Sequence, residues 1–449
     1  MTQTQSAPPA AVPAPPPGTV LPANLAQQSP QPTAHAPGPR GAIARWFEGT
    51  PGRMRAFLIL AAAMSVVFGL AASQGFSQSE GSLDRAQANT AQLVRIQAIH
   101  TNLVSANADA TNAFLVGGLE PPAQRAHYVG AMNAAAGLIA DAASAQPADR
   151  EVLGALNKTL LTYEGLIEQA RANNRQGLPI GSQYLKDANA VLQDDSLPLV
   201  KALVEANEQR VDTEFDGISK GNLWLLPGGL LTLVVFAITL RWLARRTHRY
   251  LNVPIAAGAV VVLLTTVIGG IALASASSSA KDIRDTSYDR TLALSRARIA
   301  AYDARSNESL TLVARGSGEA FDKAYNDAAG EVTNQLDKVQ RNDVQLTDAW
   351  QAYAEVHKKV RADDAGGKWD DAVNLAVGKS GADANSVNTF NAFDKLSSDR
   401  LRSASTAVQA ELTDARDGLP PIGWLGVPLG IVAALLVAWG MSQRLEEYR

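Results

Sequence analysis

Four stretches without a single charge constrain this chain more than anything else in it. They read AFLILAAAMSVVFGLAAS (56–73), NLWLLPGGLLTLVVFAITL (222–240), VPIAAGAVVVLLTTVIGGIALASA (253–276) and IGWLGVPLGIVAALLVAWGM (422–441). At 1.5 Å per residue the shortest reaches about 27 Å, close to the thickness of a bilayer's hydrocarbon core. A buried core helix is the alternative for any one of them. Length, absence of charge and the flanking Trp224, Trp424 and Trp439 favour spanning. The first run begins too far along the chain to be a cleaved signal peptide.

Orientation follows from the basic residues beside the runs. Arg40, Arg45, Arg53 and Arg55 precede the first; Arg241, Arg245, Arg246 and Arg249 lie between the second and third; Arg444 and Arg449 follow the fourth. If every run crosses, all three groups share one side, which is then cytoplasmic. The expected location is the plasma membrane, multi-pass, with both termini cytoplasmic. The chain divides into a Pro/Ala-rich N-terminus (1–55), spans at 56–73, 222–240, 253–276 and 422–441, a basic loop (241–252), a short tail (442–449), and two extracytoplasmic segments (74–221 and 277–421).

Composition closes off several functions. The net charge of −3 provides no global basic field for nucleic acid. Cysteine is absent, so thiol nucleophiles and thiolate metal sites are excluded. The five His (His35, His100, His127, His248 and His357) are scattered, without paired-ligand spacing. No phosphate-binding glycine loop or kinase signature appears. The pairs Asp194-Asp195, Asp363-Asp364 and Asp370-Asp371 read as caps or solvated turns, and the Ser run at 275–280 as small residues at a helix contact. Uncharged spans speak against proton relay or ion conduction. No enzymatic activity, cofactor or metal is expected.

Both segments read as helix. In the first, Leu93, Ile96, Ile99, Leu103, Ala106 and Ala110 keep a three/four spacing directly after the first span. Stripes at 129–139, 153–170 and 200–218 follow, with breaks at 117–122, Pro147 and 175–181. The second segment repeats the plan, with stripes at 292–313, 321–336, 346–360 and 387–412. YEGLIEQARANNRQG (163–177) is echoed by YAEVHKKVRADDAGG (353–367), and Phe114-Leu-Val-Gly-Gly matches Leu312-Val-Ala-Arg-Gly. The expected fold class is all-α: four transmembrane helices and two extracytoplasmic four-helix bundles related by internal duplication. Tyr163 and Tyr353 are expected in the core of helix three. Arg171 and Arg361 are expected to complement its C-terminal dipole, with ligand binding as the alternative.

The first 39 residues, with APPAAVPAPPPG at 7–18, are too poor in apolar side chains to build a core, and disorder is expected there. They read as a linker or a polyproline-type ligand, or as a featureless tail. With so little chain inside, a signal would have to pass to another protein. Arg245, Arg246 and Arg249 are the candidate contact for an acidic cytoplasmic partner, besides anchoring topology.

A span-flanked four-helix bundle resembles the periplasmic sensor module of bacterial chemoreceptors and sensor kinases. The tandem arrangement, with short cytoplasmic ends and a Pro/Ala-rich N-terminus, is similar to an actinobacterial membrane sensor. That family links a glutamate/aspartate/glutamine-binding lipoprotein outside to a soluble Ser/Thr protein kinase inside. The resemblance implies no catalysis and no cofactor, a loaded binding lipoprotein and a soluble kinase as partners, and a possible homodimer. It also draws attention to Arg95, Arg296, Arg298 and Arg305 on the first helix of each bundle. Two joined copies would form in one chain the eight-helix unit that chemoreceptors obtain by dimerising. The competing reading is a non-signalling accessory or scaffold subunit of a transporter or cell-envelope complex.

Overall fold

Helical periodicity with no alternating strand pattern leaves the backbone one way to satisfy its hydrogen bonds. The structure, a computed structural model, describes residues 49–116, 119–247, 252–339, 343–379, 381 and 384–446, with no strand among them. The Pro/Ala-rich stretch before Gly49 lies outside these residues. Met54–Arg449 forms one compact unit.

The first and third apolar runs are ends of longer rods, and the second and fourth follow a bundle helix after a short turn. α1 (Gly49–Val116) carries the first run straight on into helix one of the first segment, 68 residues or about 100 Å without a break. α2 (Pro122–Ala145) and α3 (Arg150–Arg175) come next. α4 (Ile180–Ala190), a π turn (Val191–Ser196), α5 (Leu197–Ser219) and α6 (Asn222–Thr247) lead back through the second run. α7 (Val253–Ile283) carries the third run through a π turn (Arg284–Tyr288) into α8 (Asp289–Val313). α9 (Glu319–Lys338), α10 (Val344–Ala365) and a short α11 (Trp369–Ala376) follow. α12 (Ser386–Asp417) and α13 (Ile422–Glu446) bring the fourth run. Four rods are long and apolar enough to cross a membrane. The all-α architecture with four candidate spans is as expected. α11 and the two π turns are additions, since an eight-residue helix is too short to show a period.

The spans pack in the order 1-2-3-4. Spans one and four touch backbone to backbone: a Cβ on Gly69 would sit 2.7 Å from the Gly426 carbonyl oxygen, and one on Gly430 2.6 Å from that of Ser65. This is the small-xxx-small contact that lets helices attract by close packing where lipid removes the hydrophobic drive. Span two reaches span one through Thr232 Oγ1, which donates to the Met64 carbonyl (3.1 Å).

Beyond the spans, the two helix-one stretches are the most enclosed parts of the molecule. α8 buries seventeen of its residues, on every side, and small side chains (Ala297, Ala300, Ala301, Ala304) let its neighbours approach. Helices two, three and four pack around this pair. The loop between helices two and three is tied down alike in both segments. Asp149 accepts from Gln92 (3.1 Å) on helix one and from Asn207 (3.0 Å) on helix four, and pairs with Arg210 (2.8 Å). Burial pushes its pKa upward, but Arg210, Asn207 and Gln92 together outweigh that and hold it below the ordinary Asp value. Asp343 is held by Arg400 (2.8 Å) and faces Arg290 (3.9 Å).

Candidate functional site

The helix-one seam is polar yet buried. Asn107 Nδ2 on α1 donates to Ser306 Oγ on α8 (2.8 Å) and to Asn189 Oδ1 (2.9 Å), and its Oδ1 accepts from Tyr163 OH (3.3 Å). One turn further, the Asn112 amide donates to Ser309 Oγ (2.8 Å) and accepts from Arg305 Nη2 (3.1 Å). Asn107, Asn112, Ser306, Ser309 and Arg305 are all buried. An unpaired buried amide costs about 1–3 kcal/mol, so sliding one helix along the other is penalised at each rung. A ladder of this kind holds the two helices in one register.

At the far end from the spans, the first segment carries a cavity of about 350 Å³. Its floor is Ala110, Phe114 and Ile167; its rim is Glu120, Arg125, Glu168 and Arg171. Arg171 lies 4.0 Å over the Tyr128 ring, and pairs with Glu168 (2.9 Å) and Glu120 (3.1 Å). Arg125 pairs with Glu168 (2.9 Å). Tyr128 is buried and its hydroxyl lacks a partner; burial pushes its pKa up to about 12, so it stays a neutral phenol. The loops beside the cavity expose apolar side chains: Leu119 (85 %), Leu178 (44 %) and Ile180 (54 %). An apolar pocket and knob with a rim of paired charges is the composition of a recognition surface. The described residues contain no cluster able to hold a metal.

At the same level of the second segment the space is filled. In the register of the Phe114/Leu312 match, Glu308 stands where the first segment has Ala110. In the register of the echo, His357 stands where it has Ile167. His357 Nδ1 lies 2.7 Å from Glu308 Oε2, both buried, and the Tyr325 ring stacks on the imidazole with centroids 3.3 Å apart. α11 then covers the end: Trp369 donates to the Leu312 carbonyl (3.0 Å) and lies under Arg315 (3.9 Å). From the following loop Lys379 reaches across to the α1 terminus, donating to the Val116 carbonyl (3.3 Å).

Residues 82–216 match the family model of the actinobacterial sensor domain. That stretch runs from α1 just beyond the first span, through the tip and its cavity, to the end of α5. The first segment is thus similar to a sensor domain of actinobacteria, and a sensing role is the reading this similarity provides. No curated protein and no solved structure matches the chain significantly.

The residues singled out from the sequence fall in different places around this sensor-like segment. Arg245 and Arg246 are exposed in the last turn of α6, at the end of the second span remote from both segments. Arg249 lies outside the described residues. Tyr163 and Tyr353 are fully buried on helix three. Gly177 and Gly367 end that helix with φ of +68° and +77°, and the next N–H returns to the carbonyl five residues back in both cases: Leu178 to Asn173 (3.0 Å), Lys368 to Asp363 (2.8 Å). Arg171 and Arg361 do not cap their own helix. Each reaches an acid at helix two, Glu120 and Asp322 (2.7 Å), because a long guanidinium gains more from a neighbouring carboxylate than from a solvated carbonyl. Among the four helix-one arginines, Arg305 reaches the seam over the Phe390 ring (4.7 Å); Arg296 and Arg298 pair with Glu208 and Asp394, and Arg95 with Gln92. Asn107, Asn112, Glu308 and Tyr128 escaped sequence reading. Their one signal was polar residues packed closely into a stripe read as apolar.

Proposed function

We propose that the chain is a transmembrane sensor-adaptor without catalysis of its own. Both helical segments would lie outside the cell, the basic ends inside, as the arginines flanking the spans favour. The observation that carries the reading is continuity: spans one and three run without a break into helix one of each segment, α1 directly and α7 through a π turn into α8. A partner that favours one packing of the bundles therefore shifts or turns spans one and three with no loop between them and helix one. The similarity of residues 82–216 to a sensor domain supports the same direction of reasoning. The outer partner would be a solute-binding lipoprotein carrying glutamate, aspartate or glutamine, docking on the apolar tip around Leu119, Leu178 and Ile180. The inner partner would be a soluble Ser/Thr kinase, meeting Arg245, Arg246 and Arg249. The paired Asp149 and Asp343 loops and the Gly177 and Gly367 turns support a duplicated unit.

Crosslinking in intact cells, followed by capture of tagged chain from amino-acid-replete and starved cultures, tests this. The expected result is a solute-binding lipoprotein and a kinase, in amounts that change with nutrient. Leu119→Asp with Ile180→Asp should remove the lipoprotein alone. Capture of permease subunits only, indifferent to nutrient, would replace the proposal by a transporter-accessory role.

A further inference from the structure

We propose that the groove between the two segments is a binding site for a small organic cation, a primary ammonium on a short apolar body. The groove lies beside the seam, lined by α1 and α5 from the first segment and α8 and α9 from the second, and encloses about 610 Å³. Gln97 and His100, three apart on one face of α1, line it together with Asp303 on α8. All three carry buried polar atoms without a hydrogen-bond partner: both amide atoms of Gln97, His100 Nε2 and Asp303 Oδ1. Gln97 is only 2 % exposed. Orphaned polar atoms are rare in native interiors, and several lining one cavity point to a polar occupant.

The chemistry of these atoms selects the occupant. Gln97 Oε1 and Asp303 Oδ1 accept hydrogen bonds, as does neutral His100 through Nε2; burial pushes the His100 pKa down to about 4, so the ring is neutral at pH 7. Three acceptors against one orphaned donor, Gln97 Nε2, suit a group with several N–H donors and a positive charge. Asp303 has Gln193 of the π turn as a hydrogen-bonding neighbour and no counter-charge, and burial pushes its pKa up to about 7. The other ionisable groups at the groove do not relieve it. Arg296 is held by Glu208, Lys201 is exposed, and Glu331 has the wrong sign. Leu197, Val204 and Ile299 provide apolar wall for the carbon body.

The opposite flank of the seam carries different groups. In the same register Ser105 replaces Asp303 and Arg298 replaces His100; Arg298 is already paired with Asp394 (2.7 Å). An ammonium in the groove would touch both helix-one stretches at once. This site stands apart from partner docking at the tip and does not depend on it.

Titration of the full chain in lipid nanodiscs with n-butylammonium chloride, following heat of binding and unfolding temperature, tests the proposal. Saturable binding is expected, with sodium butyrate and 1-butanol at least tenfold weaker. Asp303→Asn should weaken n-butylammonium at least tenfold, and Ala328→Phe, which fills the groove and leaves its polar groups in place, should do the same. Binding of 1-butanol as tight as that of n-butylammonium would make the groove a plain apolar cavity. Unchanged affinity in either folded variant, or no saturable binding to the wild-type chain, would overturn the site.

Discussion

Just below the span-distal end, the first segment sets Ala110 opposite Ile167, and the second sets Glu308 opposite His357. Two small or aliphatic side chains leave a cavity of about 350 Å³ with an exposed apolar rim. Two polar ones draw together at 2.7 Å, receive a stacked Tyr325 and are covered by α11. The cores beneath differ in the same sense. Leu153, Leu156, Leu160 and Leu185 fill the first segment, whereas Trp350, Tyr353, Phe390 and Phe393 interlock in the second with centroids 5.3–6.4 Å apart. One helical plan therefore supports an open end and a closed one. The open end is where the partner proposed above would dock.

The largest effect should come from unpairing the closed end. His357→Leu leaves Glu308 buried without its partner and should cost roughly 3–5 kcal/mol in denaturant unfolding. The double change Glu308→Ala with His357→Ile, which copies the open end, should recover most of that loss. Equal costs for single and double variants would mean that the pair is not coupled.

Next in size is a pH effect centred on the groove flank of the seam. Asp303 has its pKa raised from 3.8 to about 7 by burial, so the folded chain holds a proton that the unfolded chain has released. Stability should therefore fall as pH rises from about 4 to 7 and level off above. The loss is on the order of a few kcal/mol at most. Unfolding temperatures of the wild type and Asp303→Asn at pH 5 and pH 8 check it. The variant should lose the Asp303 share of this slope and be the more stable at pH 8.

The two echoed arginines should separate by a smaller margin. Arg171→Ala removes a guanidinium 11 % exposed, stacked on Tyr128 and shared by two acids; about 2 kcal/mol is expected. Arg361→Ala, at 29 % exposure, should cost less than about 1 kcal/mol. Smallest in stability, within about 0.5 kcal/mol, should be Leu119→Asp, since that side chain is 85 % exposed. Its effect should appear only in partner capture, which separates recognition from folding.

How far these features were legible depends on their range. Each candidate span shows in the sequence because eighteen uncharged residues are a local property. The helix breaks at Pro147, Gly177 and Gly367 are local too, set by a missing N–H or by a left-handed φ. The tip cavity was half visible: Tyr163, Arg171 and Gly177 stood out through their echo. Tyr128 on α2 and Glu120 just before it, which fix where Arg171 points, lie 43 and 51 residues away and carry no mark of it.

What the sequence by itself determined is therefore the helices, the candidate spans and the order of most elements. Each follows from hydrogen bonding and apolar periodicity within a few turns of chain. Which helices meet was decided only by the tertiary structure. Nothing in Asn107 or Ser306 announces the other, and each is a poor choice for a buried stripe until the other completes its hydrogen bond. Gly69 shows the same logic in the spans: it is a neutral residue in its own helix and becomes decisive only where the backbone of Gly426 passes within contact of it.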